Sequence, residues 1–221
     1  MLYAQEHNMQ VVCFDVDGTL VQSAGFDGEL YEEAIRAALG IELYADLSRY
    51  KNVSDSGILA EILEGFPATE RARLARDVKI DFINRTKRYV AANPQLIREV
   101  PGAVGLVEAL RESPRVRVCI ATGGWAETAE LKLRSIGLEP NSLAMATSSD
   151  AVSRTEIMRL AEARVTQGPV TRRTYFGDGV WDQRAAAELG YDFVAIGGGV
   201  SHHVAFPDLR DIEGILGQLD V

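Results

Sequence analysis

The stretch Gln10-Val11-Val12-Cys13-Phe14-Asp15-Val16-Asp17-Gly18-Thr19-Leu20 carries a short, β-branched apolar run straight into two carboxylates and a glycine. Such a run, without polar alternation, fits a strand buried on both faces, as in a parallel sheet. Asp15 and Asp17 stand two residues apart, so in extended chain they point the same way and share one small volume. Like charges that close raise each other's pKa unless a proton or a cation sits between them.

Beyond this first strand, covering 10–15, four more runs read as buried strands, at 115–121, 142–147, 174–177 and 191–196. Helical spacing separates the later ones, through Leu131 and Ile136, then Ile157, Leu160, Ala161 and Val165, then Ala185, Ala186 and Leu189. Strands alternating with helices predict a doubly wound parallel sheet of the α/β class. The first crossover is anomalous, because about a hundred residues part the first strand from the second and a simple crossover needs roughly a dozen. Residues 21–98 hold no convincing strand. They hold helical patterns at Leu30, Ala34 and Ala38, at Ile58, Leu59, Ile62 and Leu63, and at Leu74, Val78 and Phe82. Pro94 and Pro101-Gly102 mark the return to the sheet. The expected organisation is a Rossmann-like core over 1–20 and 99–221, interrupted by an all-helical cap over 21–98.

Composition narrows the function. The 221 residues carry a net charge of -9, and an acidic surface repels phosphate backbones and anionic lipid, so neither nucleic acid nor membrane is expected as a partner. The charge is uneven: 21–98 carries 11 basic and 12 acidic groups, while the rest carries 12 and 20. Eight basic residues fall between Arg71 and Arg98, and they read either as a solvated helix face or as a field drawing an anion to a site. No apolar run is long enough to span a bilayer. Met1 to Gln10 lacks the basic patch and apolar stretch of a secretory signal. Cys13 and Cys119 sit inside apolar runs, as small buried side chains in a reducing compartment do, which points to the cytoplasm.

In an open parallel sheet, ligands bind beyond the carboxyl ends of the strands. The fourth strand ends in Gly177-Asp178-Gly179-Val180-Trp181-Asp182, a second pair of acids. If the first and fourth strands are neighbours, four carboxylates converge, and hard oxygen donors without His or Cys favour Mg²⁺. Asp-Gly is also an ordinary turn, and each cluster alone is equally readable as a loop. The second strand ends in Thr122-Gly123-Gly124 before a helix, where a hydroxyl and free backbone N–H groups suit an anion, or merely cap and turn. Arg154, after Ser153, stands where it can neutralise a phosphoryl group or lie on the surface.

In this order, Asp15-x-Asp17-Gly18-Thr19-Leu20, Thr122, Arg154 and Gly177-Asp178-x-x-x-Asp182 resemble the four motifs of the haloacid dehalogenase-like hydrolase superfamily, over the whole chain. The helical insert is similar to the caps of its phosphoglycolate phosphatase and β-phosphoglucomutase branch. Two positions depart from the pattern. The third motif is more often a lysine followed by proline, where this chain has Arg154-Thr155, and the second motif's threonine is often followed by asparagine, where Gly123 stands. The resemblance implies a Mg²⁺-dependent phosphatase of a small phosphorylated metabolite. Asp15 would be the nucleophile and Asp17 the general acid and base. Asp15, Asp178 and the Asp17 carbonyl would hold the metal, with Asp182 ordering it, and Thr122, Gly123 and Arg154 would hold phosphate. An aspartate at 17 favours phosphoryl transfer over carbon–halogen cleavage, since the family's dehalogenases lack it. A phosphomutase of the β-phosphoglucomutase type uses the same motifs. A non-catalytic Mg²⁺-binding regulator is the alternative of another class.

In the cap, Arg49-Tyr50-Lys51-Asn52-Val53-Ser54-Asp55 resembles the substrate loop of such enzymes, which makes Lys51, Ser54 and Asp55 candidates. A loop capping the helix that starts near Ser56 is the plain alternative. Lys51 also invites comparison with the Schiff-base lysine of phosphonoacetaldehyde hydrolases. Trp125 and Trp181 read as packing residues or pocket walls, and His202-His203 as loop surface. A monomer or a homodimer is expected.

Overall fold

The order in which the strands pair decides where the acids meet. In the computed structural model, which describes residues 9–23 and 25–221, six strands form one sheet in the order β5-β4-β1-β6-β7-β8. These are β1 Gln10–Phe14, β4 Val116–Ala121, β5 Ala144–Ala146, β6 Arg172–Gly177, β7 Asp192–Ile196 and β8 Ala205–Phe206, and every pairing is parallel. β1 lies at the centre between β4 and β6. The chain winds outward from β1 to β4 and β5, then returns to β6 on the other side. The direction therefore reverses between β1 and β6, where such sheets leave a crevice. Residues 1–8, most of the stretch read as lacking the features of a secretory signal, lie outside the described residues.

All five residues of β1 are buried, and their alternation sorts them to two faces. Val12 and Phe14 join Ile120, Phe176 and Val194 under α4 Ala103–Glu112, α5 Ala126–Ser135 and α8 Ile212–Leu219. Val11 and Cys13 join Cys119, Tyr175 and Phe193 under α6 Arg154–Val165 and α7 Val180–Leu189. Both cysteines are free and buried.

The long first crossover contains α1 Phe26–Leu39, α2 Asp55–Leu63 and α3 Ala68–Ala92, with an apolar cluster of their own built on Tyr31, Ile35, Ile58, Leu59, Val78 and Phe82. α3 runs uninterrupted because no Gly or Pro lies between Pro67 at its start and Pro94 beyond its end. This is the helical cap, set on a doubly wound core. Where the sequence shows no strand, the chain leaves and re-enters the core through an antiparallel pair, β2 Val21–Gln22 and β3 Arg98–Glu99. Two residues are too few to display a periodicity, and the same holds for β8. β5 is shorter than expected because Pro140–Ser142 takes a 3-10 turn before it and Asp150 accepts the Thr147 N–H after it. No helix among the described residues is long and apolar enough to cross a membrane.

Candidate active site

Register brings the two acidic loops side by side. Phe14 pairs with Phe176, and the Asp15 N–H continues the ladder onto the Phe176 carbonyl at 3.0 Å. Gly18 has a φ of 76°, and a Cβ there would overlap the Asp178 carboxylate, so only glycine lets these loops meet. Gly177 similarly admits Asp182, whose Cβ would lie 2.6 Å from a side chain at 177. Asp182 is then fixed as acceptor of the Gly179 N–H at 3.0 Å.

Asp15, Asp178 and Asp182 each offer a carboxylate oxygen, all within 4.8 Å of one another. Burial pushes the Asp15 carboxyl well up, opposed by Arg154 and reinforced by Asp182 and Asp178. Burial, then Asp182 and Asp17, lift Asp178 to about 7, and burial also raises Asp182. Arg154 Nη1 stands 2.8 Å from Asp182 Oδ1 and 3.3 Å from Asp15 Oδ1, yet neither oxygen receives a well-directed hydrogen bond. Three carboxylates, two of them buried and the third half-buried, with two such oxygens and one guanidinium remain short of positive charge. The donor set is all oxygen, which fits a hard divalent cation such as Mg²⁺.

The Asp17 carboxylate is not in that group. Lys132, fully buried on α5, sits 2.7 Å from Asp17 and 2.6 Å from Asp27 in the first turn of α1. Burial pulls the lysine down, but the two acids outweigh it and hold it above the usual range. Burial drives Asp27 up to about 6, against Lys132. Neither Lys132 nor Asp27 was among the expected residues. A signal existed, because Ala129, Lys132, Leu133 and Ile136 fall at helical spacing, and a cation on an apolar face asks for a buried partner.

Thr122 is buried at the end of β4, its Oγ1 accepting the Gly124 N–H at 3.3 Å. Arg154 opens α6 behind its Ser153 cap and donates from Nη2 to the Val53 carbonyl at 3.2 Å. Ser54 caps α2 and also donates to the Val152 carbonyl at 2.6 Å, while the Asp55 N–H donates to the Gly123 carbonyl at 2.8 Å. Asp55 Oδ2 accepts the Trp125 N–H at 2.8 Å, and burial, then Asp27, push this carboxyl up to about 8. The loop caps α2, and Val53, Ser54 and Asp55 also line the pocket.

Lys51 is exposed and does not line the pocket. Trp125 is buried against Tyr31 and Phe82 of the cap, and Trp181 lines the pocket. His202 and His203 border a separate groove beside β7. Residues of the basic stretch are ion-paired, Arg73 with Glu70 and Asp77, Arg85 with Asp81 and Glu33, and Lys79 across to Glu127 of α5. None of these residues reaches the pocket, a cavity of about 340 Å³ between cap and core.

A search of curated proteins returns no match. Among solved structures, a hydrolase from Pseudomonas syringae superposes with a TM-score of 0.75 at 23% identity, over 95% of this chain and 98% of that one. β-Phosphoglucomutase from Clostridium difficile gives 0.73 at 15% identity, over 96% and 97%. A variant of CbbY from Rhodobacter sphaeroides, in complex with xylulose-1,5-bisphosphate, gives 0.68 at 19%, over 92% and 96%. At such identities the likeness is one of fold. The model of the haloacid dehalogenase-like hydrolases matches residues 9–190, which spans β1 through α7 and every acid of the cluster, and the chain belongs to that family.

Proposed function

We propose that the protein is a Mg²⁺-dependent phosphatase of a small phosphorylated metabolite, with 21–98 as the cap that encloses it. The observation that carries this reading is the meeting of Asp15 and Asp178 with Arg154 at the floor of one pocket, with the buried Asp182 against them. Asp15, Asp178 and Asp182, with the Asp17 carbonyl, are the groups to hold Mg²⁺, which when bound neutralises the clustered acids and the phosphoryl oxygens. Asp15 attacks phosphorus in line and becomes an aspartyl-phosphate. Asp17 gives a proton to the departing oxygen, then takes one from the water that cleaves the acyl phosphate. Arg154 and the Thr122 hydroxyl stabilise the equatorial oxygens. The cap excludes bulk water while this happens. The free, buried cysteines agree with a reducing, cytoplasmic setting.

Asp15→Asn keeps the size and removes the nucleophile. Turnover of p-nitrophenyl phosphate with Mg²⁺ should fall by roughly 10³-fold or more, with an unchanged circular dichroism spectrum. Full activity in that variant excludes Asp15 as the nucleophile.

A further inference from the structure

The phosphoryl end of the pocket is its floor, and the groups above it face whatever the phosphate is attached to. Tyr31, Leu47, Val53, Ile58 and Trp181 give that space an apolar wall. Its polar groups are Ser23, Ser54, Asp17, Asp27 and Asp55. Among the described residues, Arg154 is the one cation that lines the pocket, and it is engaged by Asp15, Asp182 and the Val53 carbonyl at the floor.

Lys132 is paired with two of the lining acids but lies fully buried behind Asp17 and Asp27. One lysine serves two carboxylates there, so the trio has no positive charge to spare. Lys51 does not line the pocket, and Arg49 lies over the Tyr44 ring at 4.0 Å. A carboxylate or second phosphate above the floor would thus meet acids and hydrocarbon without a compensating cation.

We propose that the substrate is a phosphomonoester whose alcohol portion carries no negative charge, a neutral or amino-bearing small alcohol, and that the pocket rejects phosphorylated acids and bisphosphates. This rests on the phosphatase reading of the same site. It sets the protein apart from its structural neighbour that was solved with a sugar bisphosphate.

Three esters of almost equal size test it: 2-hydroxyethyl, 2-aminoethyl and carboxymethyl phosphate, assayed as kcat/KM with Mg²⁺ beside p-nitrophenyl phosphate. The first two should exceed the carboxymethyl ester by about tenfold or more, and fructose 1-phosphate should exceed fructose 1,6-bisphosphate likewise. In Asp27→Asn, the carboxymethyl to hydroxyethyl ratio should rise at least about fivefold, a change of preference that a loss of packing does not produce. Equal or faster turnover of the anionic esters, or an unmoved ratio in Asp27→Asn, overturns the proposal. Absence of Mg²⁺-dependent release from p-nitrophenyl phosphate overturns the phosphatase reading itself and this inference with it.

Discussion

Gly123 and Arg154 are the two departures from the family's motifs, and the structure joins them. A Cβ at 123 would overlap Arg154 Nη2, and would lie 3.1 Å from both Arg154 Cζ and the Val53 carbonyl oxygen. The guanidinium occupies the room a side chain would need. It also does what one ammonium cannot, because Nη1 faces Asp15 and Asp182 while Nη2 holds the cap loop at Val53. Arginine at 154 and glycine at 123 are in this view one adaptation. Gly123→Ala should lower kcat/KM by about tenfold, because Arg154 must move off Asp15 to admit the methyl group. Arg154→Lys should cost a similar factor on its own. Combined, they should cost clearly less than the product of the two, since the shorter lysine leaves the methyl its space. Strict multiplicativity across the four proteins would mean that the two positions act independently.

At the scale of elements, the β1 and β6 loops were legible because each announces itself within half a dozen residues: an apolar run, then two acids around a glycine. Their adjacency stays conditional in the sequence, and it is the pairing of β1 with β6 that establishes it. Lys132 was not legible as part of the site, because it lies 115 positions from Asp17 and meets it only when α5 docks beside the β1 loop. Asp27 reads as an ordinary acid in a first helical turn. Trp125 reads in the sequence as a packing residue or a pocket wall; its packing is against the cap, on Tyr31 and Phe82, and nothing local to α5 names that partner. The trio of Asp17, Lys132 and Asp27 thus ties three elements together across the cap–core boundary. Lys132→Met fills the same space without the charge, leaving both acids unpaired. Removing one partner of a fully buried pair costs about 3–5 kcal/mol, and roughly 2–3 kcal/mol is expected here because both acids retain some contact with solvent. The midpoint of urea unfolding measures this, and adding Asp27→Asn to Lys132→Met should recover part of the loss. A single substitution within about 0.5 kcal/mol of the parent would show that the trio contributes nothing net.

Across the whole molecule, the closed arrangement concentrates acids that would sooner be protonated. Asp178 is held up to about 7 and Asp55 up to about 8, in each case first by burial. An acid raised by folding binds more proton in the native state than in the unfolded chain, from about pH 4 up to its folded value. Stability therefore declines as pH rises through that window, and the full penalty is present above it. The metal-free protein, kept in a chelator, should lose roughly 3–8 °C of Tm between pH 6 and pH 8.5. The two acids separate by position. Asp178 belongs to the carboxylate cluster, so saturating Mg²⁺ should raise Tm at pH 8.5 more than at pH 6 and remove its share of the slope. Asp55 lies on the cap loop against Trp125, so its share should persist with Mg²⁺ and disappear in Asp55→Asn. Calorimetry on the two proteins, with chelator and with Mg²⁺, resolves both contributions. A metal-free Tm that is flat or rises over this range would show that the cap stands open in solution and that the acids titrate as they do in water.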